Sequence, residues 1–159
     1  MENRQPGPPP HDAQWAFDSR WKHLTLKANN DLKAGDLVAA GAAYDLAYHE
    51  ARIVFAEAWN GSAHMQPHAP PMLIVSATNV AHHRRVKGDE SAATAQLMSA
   101  IQIFTEALSS DRAPDSLKRG CAEHLPRLLA DLTDTDCDTG SIAEEAKAAA
   151  LNYWKKCAH

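Results

Sequence analysis

The chain has few aromatic residues and no surplus of positive charge, and each shortage excludes a class of protein. Only 6% of its 159 residues are aromatic and alanine is frequent, which favours closely packed helices over a sheet rich in β-branched and aromatic side chains. Sixteen basic against twenty acidic side chains give a net charge of −4, so no overall field draws the protein to nucleic acid or to an anionic membrane. We therefore predict an all-α protein with neither of these partners.

Cysteines and long apolar runs are also scarce. The three cysteines, Cys121, Cys137 and Cys157, are odd in number and far apart, which argues against a secreted disulfide framework and indicates free thiols. No run of about eighteen apolar residues is present to span a bilayer, and the first residues contain no apolar segment typical of a signal peptide. We expect a cytoplasmic protein.

Familiar catalytic motifs are missing as well. The sequence contains no nucleophile elbow, no glycine loop that would cradle a phosphate, and no HExxH pair of histidines. We therefore predict a protein that is not an enzyme and that uses no cofactor. An enzyme built on a helical scaffold is the third of three functional hypotheses, after the adaptor and the metal-binding protein described below.

Apolar periodicity and turn residues divide the chain into a tail and about six helices. Residues 1–11 contain PGPPP, whose prolines favour an extended conformation, so a flexible proline-rich tail is predicted before a single helical domain over residues 12–159. The helices with the clearest bounds are predicted at Ala13 to Lys33, about Leu37 to Trp59, and Met72 to Lys87. Prolines in AHMQPHAPP are expected to exclude regular helix before Met72. Three more helices are expected after KGDES, within APDSLKRGCAEHLPRLLADL and within SIAEEAKAAALNYWKKC.

Two stretches share one skeleton, ANNDLKAGDLVAAGAAYDLA from residue 28 and AHHRRVKGDESAATAQLMSA from residue 81. Aligned on Gly35 and Gly88, the coincident small or apolar residues are Ala28 with Ala81, Ala40 with Ala93, Tyr44 with Leu97, and Ala47 with Ala100. Alanines at these spacings let two antiparallel helices approach closely. Each unit is therefore predicted to be a helical hairpin that must stack on a neighbour to bury its apolar face.

This spacing resembles the tetratricopeptide repeat (TPR) over about residues 21–54 and 74–107. The resemblance implies an α-α superhelix of antiparallel hairpins, with a concave face formed by the first helix of each pair. The chain departs from the family because both units lack the terminal proline, and because the two glycines are 53 positions apart where the family repeat is about 34. No third copy is clear, and an ordinary helical bundle without repeat geometry is the alternative.

The resemblance also implies a function, that of a non-catalytic adaptor or scaffold for a protein or peptide. Carried over by position, the groove-facing residues are Lys22, Thr25, Asn29 and Lys33 in the first unit, and Val75, Thr78, Asn79, His82 and Arg85 in the second. Family members that grip a C-terminal carboxylate have asparagines at the positions of Asn29 and Asn79, whereas Thr25 replaces their first lysine. The basic residues favour an acidic partner, because positive charge steers anions towards it.

A loop with histidines and methionines supports the second hypothesis, a small metal-binding or metal-responsive helical protein. HMQPHAPPM contains His64, Met65, His68 and Met72. Imidazole and thioether ligands together suit a soft ion such as Cu(I). The competing interpretation is a proline-rich loop whose histidines have no metal role, and we therefore predict no metal site here.

Two other segments contain ligand-like residues. Cys121 and His124 are three residues apart and could share an ion, but we interpret Cys121 as a half-buried core thiol.

An acidic segment has part of the spacing of a calcium-binding EF-hand. Positions 1, 3, 5 and 12 of such a loop would be occupied by Asp134, Asp136, Asp138 and Glu145. The glycine that the loop needs arrives one position late, at Gly140. We favour a capping box of Ser141 and Glu144 at the start of the last helix.

The unusually long second helix indicates self-association. It is expected to project beyond its partner helix, and a projecting apolar end favours a homodimer. Four tryptophans, Trp15, Trp21, Trp59 and Trp154, are expected to anchor packing, although Trp59 could equally contact a second subunit.

Overall fold

The computed structural model describes residues 11–133 and 139–158, and the regular structure in these ranges is entirely α-helical. The helices are α1 (His11–Lys33), α2 (Leu37–Trp59), α3 (Ala69–Val86), α4 (Glu90–Ser109), α5 (Asp115–Thr133) and α6 (Gly140–Cys157). The predicted all-α class and the six helices are confirmed. None of the helices in these ranges has the length and apolar character needed to cross a membrane.

The two Gly-Asp turns have the same local geometry. Gly35 and Gly88 have φ values of 81° and 80°, a left-handed conformation that favours glycine at the end of a helix. The aspartates that follow, Asp36 and Asp89, each accept a hydrogen bond from the backbone N–H three residues later, at 2.9 and 3.0 Å. At both turns, the repeated sequence therefore ends one helix and begins the next in the same way.

Consecutive helices pack side by side as a helical superhelix, with α1 on α2, α2 on α3, α3 on α4, and α4 on α5. All eight coincident residues of the two repeated stretches are buried, as expected for residues that let paired helices approach. The aromatic rings of Phe55 on α2 and Phe104 on α4 stack at 5.9 Å and join the two hairpins. A smaller cluster of Ala28, Ala40, Ala43 and Tyr44 includes Val80 of α3, so the hairpins share their cores.

The last helix departs from the pattern of the first two pairs. Although α6 follows α5, it packs more extensively on α4 than on α5. Ala146 and Tyr153 of α6 join the main core, which contains residues of α2 to α6. The third pair of helices therefore closes the stack with a different packing arrangement.

The starts of two helices differ from the sequence-based expectation. Helix α3 begins at Ala69 and not at Met72, with Pro70 and Pro71 in its first turn. Proline is compatible with this position because the first N–H groups of a helix have no acceptor within it, so the expectation that these prolines exclude helix was wrong.

The capping box predicted for α6 is also wrong. The residue before the helix is Thr139, which makes no side-chain capping hydrogen bond, and Ser141 lies inside the first turn. The Glu144 carboxylate instead accepts a hydrogen bond from the Lys147 ammonium at 2.8 Å.

Candidate functional site

The residues predicted for partner binding lie on α1 and α3, the first helices of the two equivalent hairpins, and we call them the α1–α3 face. They are Lys22, Thr25, Asn29, Lys33, Asn79, His82 and Arg85. The structure leaves Lys22, Lys33 and His82 exposed, and the other four half-buried. Helices α1 and α3 are joined by a hydrogen bond of 2.7 Å from Trp21 Nε1 to Ser76 Oγ, so Trp21 is a packing anchor as predicted.

Asn29 is held in place by the second helix of its own hairpin. The hydroxyl of Tyr44 donates a hydrogen bond of 2.6 Å to Asn29 Oδ1. Burial raises the pKa of Tyr44, so the phenol stays protonated as a donor. Because Oδ1 is the acceptor in this bond, the two N–H groups of Asn29 Nδ2 remain as donors, the groups that a carboxylate requires.

The two threonines of the predicted groove differ in their hydrogen bonding. Thr78 donates back to the carbonyl groups of Ile74 and Val75 in its own helix, at 3.0 and 3.1 Å. The buried hydroxyl oxygen of Thr25 has no hydrogen-bond partner among residues 11–133 and 139–158. A buried polar group without a partner costs stability, and because this oxygen is closed to solvent it is not open to a ligand on the surface.

Arg85 is engaged within the protein. Its Nε donates to Glu90 Oε1 at 3.0 Å, and its Nη2 donates to the backbone carbonyl of Asp131 at 3.1 Å. These bonds hold the end of α3 to the start of α4 and to the last turns of α5. Two of the five guanidinium N–H groups are therefore used in structural links.

The neighbouring histidines of α3 have different environments. His82 is exposed, whereas His83 is only 7% exposed and its Nε2 lies 2.7 Å from the backbone carbonyl of Leu37. The His83 ring also packs on Tyr44, with 6.0 Å between the ring centroids. Sequence reasoning missed this role of His83. The signal in the sequence was a glycine, Gly41, inside a predicted helix. In the structure, a Cβ on residue 41 would come 2.6 Å from the His83 ring.

The four candidate metal ligands are placed in different environments. His64 and His68 are exposed, Met65 packs against the edge of the core, and Met72 is buried within it. Within residues 11–133 and 139–158, no three His, Cys, Asp or Glu side chains converge as a metal site would need. Met72, buried in the core, therefore lies in a different environment from the two exposed histidines.

The remaining candidates are a thiol and an acidic segment. Cys121 is fully buried, and burial raises the pKa of its thiol well above the ordinary range, which disfavours the thiolate that binds metals. Cys121 and Cys157 are both free. Residues 134–138, with three of the four predicted EF-hand ligands, lie outside the described ranges, and Glu145 is exposed on α6.

Trp59 lies half-buried beside a cleft between α2 and α4. Phe55, Ile103, Arg52 and Glu106 line the same cleft, and the rings of Phe55 and Trp59 are 6.3 Å apart. Trp59 therefore packs within the protein, and the predicted homodimer stays a prediction.

The chain was compared with protein families, curated proteins and solved structures. The model of a family described as "Protein of unknown function (DUF2753)" matches residues 19–152, a range that begins in α1 and ends in α6. The family model therefore includes both hairpins and most of α6. No curated protein and no solved structure matches the chain.

Proposed function

The chain belongs to the DUF2753 family, and we propose that it is a TPR-like adaptor that binds an acidic protein or peptide segment on the α1–α3 face. The observation that supports this proposal is the equivalence of the Gly35 and Gly88 turns, which sets α1 and α3 in the same position within their hairpins. Stacked hairpins of this kind present the first helix of each pair on one continuous surface. The proposal includes a cytoplasmic location, supported by the free thiols of Cys121 and Cys157.

The chemistry of the face favours a carboxylate. Asn29 offers its Nδ2 donors, and the half-buried Asn79 amide makes no side-chain hydrogen bond in the described part of the chain. Neutral donors of this kind bind a carboxylate directly. The exposed Lys33 ammonium at the end of α1 adds positive charge that attracts an acidic segment over a longer range.

A peptide selection tests the proposal. The purified chain is used to select from a random library of peptides with free C-termini, and the selected peptides are expected to be rich in Asp and Glu. Asn29→Asp should weaken their binding by at least about tenfold, because the new carboxylate repels an acidic peptide. The variant keeps an acceptor for the Tyr44 hydroxyl, so the hairpin should stay folded.

The matched control is Asn30→Asp. Asn30 is the next residue of α1 and is exposed, so this variant adds the same charge to the same helix about 100° away. Its binding should stay within about twofold of the parent protein. Equal losses in both variants, or selected peptides with no acidic residues, would show that the α1–α3 face is not the binding site.

A further inference from the structure

A basic cleft lies between the start of α5 and the end of α6, and we call it the α5–α6 cleft. It has a volume of about 720 Å³, within the usual range for small-molecule sites. Four cationic side chains line it, Lys118, Arg119, Lys155 and Lys156, against the single carboxylate of Asp115. This local excess of positive charge contrasts with the net charge of −4 of the whole chain.

The helix dipoles account for the positions of only two of these four cationic side chains. Lys155 and Lys156 are in the last turn of α6, where cations are favourable. Lys118 and Arg119 are near the N-terminal end of α5, where the positive end of the helix dipole disfavours cations. The two pairs nevertheless line one cleft, so the helix dipoles alone do not explain the positive charge gathered there.

Ion pairs within the protein do not neutralise the lysines. In the described ranges, Lys118, Lys155 and Lys156 make no ion pair, whereas the ion pairs that do form lie elsewhere on the molecule. Like charges brought together repel each other, and an anion placed between them relieves that repulsion.

The wall of the cleft is formed by a fixed aromatic residue. Tyr153 is only 6% exposed, and its hydroxyl donates to the backbone carbonyl of Asp115 at 3.4 Å. The phenol also lies close to Arg119 and Cys157. Arg119 and Tyr153 line the same cleft, and Leu108 and Ala149 add apolar surface. The cleft therefore combines several cations with a small apolar wall.

We propose that the α5–α6 cleft binds a small phosphorylated molecule that carries at least two negative charges. Three flexible lysines suit phosphate better than a single carboxylate, since a lysine binds phosphate as a point charge from any direction. The apolar wall would contact the uncharged part of the molecule. This site shares no residue with the α1–α3 face, so each of the two proposals can fail without the other.

The test is a calorimetric titration of the full chain with pyrophosphate and with ADP at about 0.1 M salt, where charges more than about 10 Å apart are largely screened. Both probes should bind saturably with one site per chain. The double variant Lys118→Gln with Lys155→Gln should weaken the binding of both by at least about tenfold. The control is Lys87→Gln with Lys147→Gln, which removes the same charge from exposed residues outside the cleft and should weaken binding by less than about twofold.

Three results would overturn the proposal. The first is the absence of saturable binding by both probes. The second is an equal loss in the cleft and control variants, which would indicate attraction by general charge alone. The third is tighter binding of citrate or of a ten-nucleotide RNA to the same lysines, which would assign the cleft to carboxylates or to nucleic acid. Circular dichroism melting of every variant verifies that folding is unchanged.

Discussion

Gly41 shows how one small residue positions a polar group of the core. Glycine inside a helix costs stability relative to alanine, so its presence within α2 needs a reason. The reason is the His83 ring. A Cβ on residue 41 would lie 2.6 Å from the ring atom Cε1 of His83, which is too close for two carbon atoms. Since His83 also bonds the Leu37 carbonyl, the ring has little freedom to move away.

Gly41→Ala is therefore expected to lower the free energy of unfolding by about 1–3 kcal/mol, the usual cost of overpacking a core. In a His83→Ala background the same substitution should become neutral, or stabilising by up to about 1 kcal/mol, because only helix propensity then remains. Urea denaturation of the four proteins measures this change of sign.

Gly120→Ala provides the control for this cycle. A Cβ on residue 120 would come 2.8 Å from the Pro70 ring, so the substitution also overpacks the core, but at a contact that does not involve His83. Its cost should be the same with and without His83. If Gly41→Ala costs the same in both backgrounds, the His83 ring is not what excludes a side chain from position 41.

At the residue scale, the sequence predicts on which helix a residue lies better than it predicts the hydrogen bonds of its side chain. Asn29 could be placed on the first helix of a hairpin, but its bond to Tyr44 depends on how α1 and α2 are rotated about their axes. Arg85 is predicted to face a partner, and its bonds to Glu90 and to the Asp131 carbonyl are additional contacts that the sequence did not indicate. The bond to the Asp131 carbonyl joins residues 46 positions apart, and a pattern of a few neighbouring residues cannot predict a contact at that separation.

The helices themselves were more predictable, because capping and glycine signals act over a few residues. The bounds of α2 agree with the expectation from Asp36 before it and the NGS turn after it. The start of α3 was misplaced because proline stops a helix from within but is accepted in the first turn. The capping box of α6 failed because Thr139 precedes the helix without a capping bond, and so the motif lies within the first turn.

The equivalence of the two hairpins predicts equal effects of equivalent substitutions. Gly35 and Gly88 have nearly the same φ, and apart from the glycine and its two chain neighbours no heavy atom of the described residues lies within 4 Å of a Cβ built on either one. Gly35→Ala and Gly88→Ala should each cost about 1–2 kcal/mol, the strain of a left-handed alanine. The two costs should agree within about 0.5 kcal/mol by urea denaturation.

Asparagine at the same two positions is the control, since its side chain tolerates the left-handed conformation. Both Gly→Asn variants should cost less than the corresponding alanine variants. A large cost at one turn with none at the other would mean that the two hairpins are not structurally equivalent.

At the scale of the whole molecule, packing between distant helices limits what the sequence can predict. The repeated stretches indicate two hairpins, and the structure has both. Nothing in the local pattern indicates that α6 packs mainly on α4, or that Lys118 and Lys156 line one cleft. Both features depend on how the third pair of helices closes the stack.

Because the Cys121 thiol is buried, the free energy of unfolding of the whole fold is expected to fall at alkaline pH. Burial raises its pKa in the folded protein, so the folded state keeps the thiol protonated at a pH where the unfolded chain loses the proton. The unfolded state then binds fewer protons, and the free energy of unfolding falls as pH rises above about 9. The thiol's contribution is fully present below that pH and is lost at about 1.4 kcal/mol per pH unit above it.

Cys121→Ala should therefore cost stability at pH 7, because it leaves a small cavity, and cost less at pH 10, because it removes the titrating group. Ile101→Val is the matched control, since it removes one buried methylene from the same core without a titratable group. Urea denaturation of the three proteins at both pH values should give a pH-independent cost for Ile101→Val and a shrinking one for Cys121→Ala.

Burial also raises the pKa of Tyr44 and of Tyr153, so alkaline destabilisation should persist in the Cys121→Ala protein, with a shallower slope of the free energy of unfolding against pH. An unchanged slope in that variant would mean that the thiol is ionised, or reaches solvent, in the native state.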